Sequence, residues 1–446
     1  MSRLTKILSL LFAMALVASA CGGGDDDDSA EGGEETETEL AGGGIDNEAA
    51  EEALASTTTV AEGEAEEETA AAGSIEELEA QWADARAAVV AELNSGDYGV
   101  GDDNILRGPG GFEVDMSTCP SDWSDTQGLE GSIKIGHTTA LSGNLAAYGN
   151  IAQGMETYFN YVNDVHGGIG GLPLELIVKD DGYVATQTIE LVDELIQSDK
   201  PFFITTLGSP NTLATYDTLN SNCIPQPFVM TGHPAWGDPE NHPFTAGLQM
   251  SYSTEAILWG NWIKENMADQ LPVKVAGLVM DNDFGLAYQD GFEKWAEQNP
   301  DVVSEFQAVP HDPAAPTVTN EMTTIAAGDP DVFISMTAGN PCLLAVQEAG
   351  NSGLTTDGTV LFAPSVCKDP NAYMIPAGDA ADGWNIVGGG IKATTDPQYA
   401  DEPFIKFLNE TLDAAGIDTS VGLYGTGFGM FAWAHVEALR IAAELD

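Results

Sequence analysis

Basic residues are scarce. The 446-residue chain holds 14 Lys and Arg against 71 Asp and Glu, a formal net charge of -57. So anionic a chain repels nucleic acid and anionic membrane surfaces, and neither is expected as a partner. The excess reads as a solvated surface suited to salty water; it concerns solubility and identifies no ligand. Cysteine is scarce too, five residues with no CxxC pair, which speaks against a zinc or thiol-redox site. No G-x-S-x-G is present, so a serine hydrolase has poor support. The N-terminal apolar run, residues 7–17, is too short and wrongly flanked for a stable membrane span.

What that N-terminus does carry is an export pattern. In "MSRLTKILSLLFAMALVASAC", Arg3 and Lys6 precede the apolar run and small residues precede Cys21. This is the layout of a signal peptide over residues 1–21. Ala18-Ser19-Ala20-Cys21 resembles a bacterial lipobox, although Leu16 lies further from the cysteine than the usual pattern places it. Lipidation of Cys21 is the expectation, anchoring an extracytoplasmic body to the cell membrane. The other four cysteines, an even number in an exported chain, suggest two disulfides. Residues 22–72 contain 18 acidic residues, no Lys or Arg and no aromatic. Such a segment buries too little apolar surface to offset chain entropy, so residues 22–73 read as a disordered linker. Its Asp25–Asp28 run lacks the spacing of a calcium loop.

Residues 74–131 follow as a helix and a wrapping segment. Ser74 and Glu77 stand at capping-box spacing, and Leu78, Trp82, Ala85, Val89 and Leu93 mark one helical face. Residues 97–130, with "RGPGG" and "TCPSDW", read as irregular and fixed by Cys119. Then short, nearly all-apolar runs appear at "SIKIG", "LELIVKD", "FFITTL", "PFVMTG", "VKVAGLVMD", "DVFISMT" and "TVLFAP". Helical stretches separate them at residues 146–165, 185–197, 212–221, 254–268, 285–298, 317–327 and 341–349. Apolar strands alternating with helices predict an α/β fold with parallel sheets covered on both faces, and the length suits two of them.

In such sheets ligands bind beyond the carboxyl ends of the strands. The first strand there runs into "GHTTALSGNLAAYG", the outline of a phosphate loop. The G-x-G-x-x-G spacing is absent, and so is the Gly-Lys-Ser/Thr of a P-loop, so nucleotide is set aside and no cofactor is implied. "TLGSPNTLATYD" puts Ser209, Asn211 and Thr212 between strand and helix. That is either a carboxylate-binding turn or a plain N-cap. In "VMTGHPAWGDPENHPF", His233 and His242 have no cysteine or acid at metal-ligand spacing, and no metal site is expected. His233 lines a cleft or packs in its loop, and Trp236 forms a wall. A Cys223–His233 thiol enzyme would need a free thiolate, whereas an exported cysteine is more often paired.

From about residue 132 onward, the serial order of "LSGNLAAYG", "GIGGLPLELIVKDDGYVATQ", "GSPNT", "MTGHPAW" and "DNDFGLAYQDGF" resembles the leucine/isoleucine/valine-binding family of type I periplasmic binding proteins. The resemblance implies two α/β lobes joined by three crossovers, with ligand held between them and closure by hinge motion. The lobes would be residues 132–250 and 251–383, with 384–446 returning to the first. It implies that Ser209, Asn211 and Thr212 meet a ligand carboxylate, with Ser142 on the rim of the first loop. Backbone of residues 231–235, beginning at Thr231, would hold carboxylate and ammonium, while Tyr148 and Phe284 shape the side-chain pocket. Members that bind α-amino acids commonly pair the ammonium with a glutamate after the strand matching "TVLFAP", where this chain has Ser365. Either another acid such as Asp283 substitutes, or the ligand lacks a cation. The chain ends at "AHVEALRIAAELD", where the family continues with further strands and the third crossover, so the second lobe is expected to be incomplete. Strand-end positions in this fold suggest Cys342–Cys367 in the second lobe and Cys119–Cys223 pinning the wrap to the first.

These features imply a monomeric, lipid-anchored solute-binding component of an ABC importer that works with permease subunits and catalyses nothing. Its solute would be a branched-chain amino acid, an amide or a small carboxylate. A sensory receptor domain is the alternative, and a secreted hydrolase a third reading.

Overall fold

The computed structural model describes residues 73–121, 129–387 and 392–445; the signal peptide, Cys21 and the acidic linker lie outside them. Two parallel sheets organise the chain. In the first lobe β4 (Ile133–Thr139) lies between β5 (Leu174–Asp180) and β6 (Phe203–Thr206). β7 (Gln226–Val229) joins β6 through a parallel bridge, Leu207 to Met230, and β8 (Thr245–Gly247) pairs with β7. In the second lobe the order is β10-β9-β11-β12-β13, built from β9 (Val273–Met280), β10 (Val303–His311), β11 (Val332–Met336), β12 (Val360–Ala363) and β13 (Trp384–Ile386). Counted within each lobe, both sheets run 2-1-3-4-5, the doubly wound order whose ligand crevice lies at the strand carboxyl ends.

The strands form where the sequence is apolar because both faces are covered: every residue of β6, β7 and β11 is buried. The strand β10 escapes the sequence reading because Glu305, Gln307 and Pro310 interrupt its pattern, as suits the edge of a sheet. β8 and β13, three residues each, are too short to show a period. The segment read as irregular after residue 97 contains a small antiparallel sheet, β1 (Gly99–Val100), β2 (Ile105–Arg107) and β3 (Glu113–Asp115). It buries Val100, Leu106 and Met116 against Cys223 and Phe244. Cys119 is bonded to Cys223 and Cys342 to Cys367, with Cα atoms 5.6 and 5.7 Å apart. Because β13 pairs with β12, the second lobe runs past residue 383, the boundary drawn from sequence.

The helix α1 (Ile75–Ser95) is capped by Ser74, whose hydroxyl accepts from the Glu77 amide. It packs on the return segment: Trp82 meets Phe404 and Trp433 edge-on, and Arg86 pairs with Glu437 and Glu444. That segment comprises α9 (Pro403–Ala414), α10 (Gly422–Thr426) and α11 (Trp433–Glu444), with a wider turn at Gly427–Ala432. Its approach to α2 (Gly149–His166) is backbone to backbone. A Cβ on Gly154 would strike the Tyr424 carbonyl, and one on Gly427 the Ile151 carbonyl.

Two buried histidines lie in the first-lobe core. His435 stacks on Phe203 and reaches the Phe431 and Pro227 carbonyls, and His137 meets the Thr205 carbonyl. Burial pushes both down to about 4. A depressed histidine adds stability that is present above its unfolded value, about 6.5, and lost as pH falls through the folded one. Melting temperature should fall between about pH 6.5 and 4, on the order of 3 kcal/mol per histidine, with a shallower slope in His137→Gln. A slope unchanged in that variant would count against the assignment. The acidic surface makes a second prediction. Raising salt from about 0.1 M to about 1 M shortens the Debye length from about 10 to about 3 Å, so the melting temperature at neutral pH should rise steadily with NaCl. A flat response would show that carboxylate repulsion does not limit stability.

Candidate functional site

The carboxyl ends of both sheets converge on one cavity of about 110 Å³. Tyr148 enters it from the turn before α2, Tyr183 from the turn after β5, and Leu207 and Gly208 from the end of β6. Tyr252, in the first turn of α5 (Tyr252–Asn266), and Phe284, in that of α6 (Asp283–Gln298), add further walls. Ser365, Val366, Lys368 and Asp369 follow β12, residues 392–395 follow β13, and Met430 and Phe431 come from the return segment. The lobes touch around it. Asn144 donates to the Pro313 and Ala315 carbonyls at 3.0 and 3.2 Å, and the Gly339 amide donates to the Tyr148 hydroxyl at 3.1 Å. Gly208 has to be glycine: its φ is 98°, and a Cβ there would run into the Tyr183 ring.

A buried carboxylate underlies the second-lobe wall. Glu255 is fully buried and accepts three hydrogen bonds: from the Ser365 amide at 2.6 Å, the Ser365 hydroxyl at 2.8 Å and the Tyr288 hydroxyl at 2.8 Å. Burial pushes its carboxyl up to about 7 against those donors and the Lys368 ammonium. Lys368, half-buried, is pushed down to about 8 by desolvation, opposed by Glu255 and Asp369. Asp369 spends its oxygens on the amides of Asn371, Ala372 and Gly422, tying the cavity floor to the start of α10. Among the described residues no group of three or more His, Cys, Asp or Glu is placed to hold a metal.

A crevice at the strand ends of two like sheets, walled from both, is a site for a small solute. The family model of the periplasmic binding proteins matches residues 132–439. The chain belongs to the periplasmic binding protein family.

A family of periplasmic binding proteins implies solute binding and an extracytoplasmic location. The fold is similar to a fatty acid ABC transporter substrate-binding protein from Thermomonospora curvata, at 21% identity and TM-score 0.58, covering 69% of this chain and 76% of that one. It is also similar to an ABC transporter solute-binding protein from Rhodopseudomonas palustris HaA2 in complex with p-hydroxybenzoic acid, at 20% identity, 69% and 79% coverage and TM-score 0.56. A branched-chain amino acid ABC transporter protein from Thermus thermophilus with bound valine gives 18% identity, 69% and 78% coverage and TM-score 0.58. None of the curated proteins matches the chain. Among the described residues no helix is long and apolar enough to cross a membrane.

Within this periplasmic binding protein, Tyr148, Phe284 and Ser365 line the cavity. The Ser/Thr turn does not. Ser209 bonds Thr231 at 2.7 Å, Thr212 bonds Thr206 at 2.7 Å, and Asn211 donates to the buried Asp181 at 2.8 Å. Tyr183 stands over the turn, its ring and hydroxyl against Gly208. The turn's hydroxyls thus brace the start of α4 (Ser209–Ser221). Thr231 is buried, and Trp236 donates its indole N–H to the Thr231 carbonyl at 3.0 Å as a packing residue. His233 accepts from the Ala235 amide and stays off the cavity wall; Ser142 is exposed beside Asp180. Asp283 sits in the first turn of α6, and the acid that reaches Ser365 is Glu255 instead.

Sequence reasoning missed Glu255 and Tyr252 and singled out neither Tyr183 nor Lys368, although both stand just beyond strand ends. Glu255 looks like an ordinary acid in a helix's first turn; only its burial singles it out. The rarity of basic residues was a usable signal for Lys368. A raised carboxyl lends stability below its unfolded value, about 4.5, that is lost as pH rises through about 7. Glu255→Gln should therefore be more stable than the parent above pH 7, by about 1–2 kcal/mol, and no more stable below pH 4.5. Urea melts across that range check the crossover.

Proposed function

We propose that this chain is the lipid-anchored, extracytoplasmic solute-binding component of an ABC importer, and that its solute is a small carboxylate with an apolar body. Cys21 would carry the anchor, and permease subunits would receive the loaded protein. The observation that carries the ligand class is a concentration of scarce charge. Two of the chain's 14 basic residues, Lys368 and Lys392, line this one cavity, Lys392 being at the same time ion-paired with Glu402. Asp369, which also lines it, is spent on backbone amides. Phe284, Leu207, Met230 and Phe431 supply apolar wall. A cavity of roughly 150 Å³ holds one benzene-sized molecule, which sets the scale for a branched chain or a single ring here.

An α-amino acid fits less well. Ser365 offers no charge to an ammonium, and the carboxylate behind it already accepts three hydrogen bonds; a buried ammonium without a partner costs several kcal/mol. Among structural neighbours, the protein in complex with p-hydroxybenzoic acid and the fatty acid transporter protein accord with this class more than the one with bound valine.

Calorimetry against benzoates, branched short-chain acids, the corresponding amides, valine and leucine tests the reading. The acids should bind with Kd on the order of 1 μM, the amino acids far more weakly. Lys368→Met should weaken the acids by about tenfold or more. Tight valine or leucine binding with none by the simple acids would overturn it.

A further inference from the structure

The bonds behind the cavity wall decide which way its hydroxyls point their hydrogens. The Tyr183 ring edge and hydroxyl stand against Gly208, at the start of the Ser/Thr turn. The Tyr252 hydroxyl accepts from the Gln249 amide at 3.0 Å and the Thr231 hydroxyl at 3.4 Å. A phenol has one hydrogen to give; Tyr252, with its acceptor sites taken from behind, keeps its O–H to donate, and Tyr183, braced against Gly208, presents its O–H at the same wall. Both residues line the cavity, and the two phenols lie within electrostatic range of one another. Tyr148 differs: its hydroxyl accepts from Gly339 and lies against Tyr373, a contact across the lobes. Ser365 has the opposite polarity. Its O–H and its N–H are both given to Glu255, so toward the cavity its oxygen only accepts.

We propose that Tyr183 and Tyr252 donate to the two oxygens of the ligand's carboxylate, and that Ser365, held by Glu255, accepts from a second ligand group. The solute class is then a small carboxylate bearing a hydroxyl or N–H on its apolar body. This replaces the Ser/Thr turn as the carboxylate anchor, in keeping with Tyr183 standing over that turn. Glu255 is a positioning residue: it touches no solute and sets the direction of the Ser365 hydroxyl. The inference rests on the small-carboxylate reading of the same cavity.

The probes are 3- and 4-hydroxybenzoate and their fluoro counterparts, which are close in size but cannot donate. Titration calorimetry on the full chain should show one hydroxy acid binding about tenfold tighter than its fluoro counterpart. Tyr183→Phe and Tyr252→Phe should each weaken both members of that pair by about tenfold and leave their ratio alone. In Ser365→Ala the ratio should fall to near one. Glu255→Gln should do the same by another route. Its amide donates to the Ser365 oxygen, so the serine hydrogen turns toward the ligand. Because Glu255→Gln keeps the volume of the side chain, it guards against a serine variant that fails to fold, and the ratio is a readout that mere destabilisation does not move. Hydroxy and fluoro acids binding equally in the parent, or a ratio untouched by both variants, would overturn the assignment while sparing the small-carboxylate reading. If no benzoate and no branched acid binds, both fall.

Discussion

One buried carboxylate organises the floor of the cleft. Glu255 comes from the first turn of the helix that opens the second lobe, and it meets Tyr288 on the next helix and Ser365 beyond β12. A carboxyl removed from water is costly unless donors surround it. Three do so here, and in meeting that need they fix the Ser365 turn. Ser365 in turn positions the segment that carries Lys368 and Asp369. Tyr252, which begins the Glu255 helix, stacks on Tyr288 at 4.5 Å and bonds to Thr231 of the first lobe. The crossover, the cavity floor and the two lobes thus share one hydrogen-bonded node.

Charge is distributed to match. Among the described residues only Asp181, Glu255, Asp369 and Glu437 are buried acids, and many of the few cations are committed to structure. Arg86 pairs with Glu437 and Glu444 to seat the N-terminal helix, and Lys179 pairs with Glu194 and Asp199. Lys392 bonds Glu402 while its stem lines the cavity. Lys368 lines the cavity half-buried beside a buried carboxylate, and desolvation makes it a costly cation.

Much of the architecture was legible in sequence. Fully buried strands such as β11 announce themselves as apolar runs, and the helices between them keep their period. What was lost was short or interrupted: β8 and β13 at three residues, and β10, broken by Pro310. The site was less legible. Tyr148, Phe284 and Ser365 could be placed because they sit at strand ends, and strand ends are fixed by topology. The turn at Ser209 could not be judged, since whether its hydroxyl meets solute or Thr231 depends on a residue 22 positions away.

By itself the sequence determined the two parallel sheets, the strand ends that face the cavity and the absence of nucleotide motifs. These follow from local period, short-range spacing and composition, which the chain carries without folding. The tertiary structure alone decided that Tyr183 covers the Ser/Thr turn, that Glu255 rather than Asp283 reaches Ser365, and which hydroxyls have hydrogens left to give. Such facts concern pairs brought together from 26 to 110 positions apart. Hydrogen-bond direction and burial belong to the assembled site, because each depends on what stands behind a side chain as well as on the side chain itself.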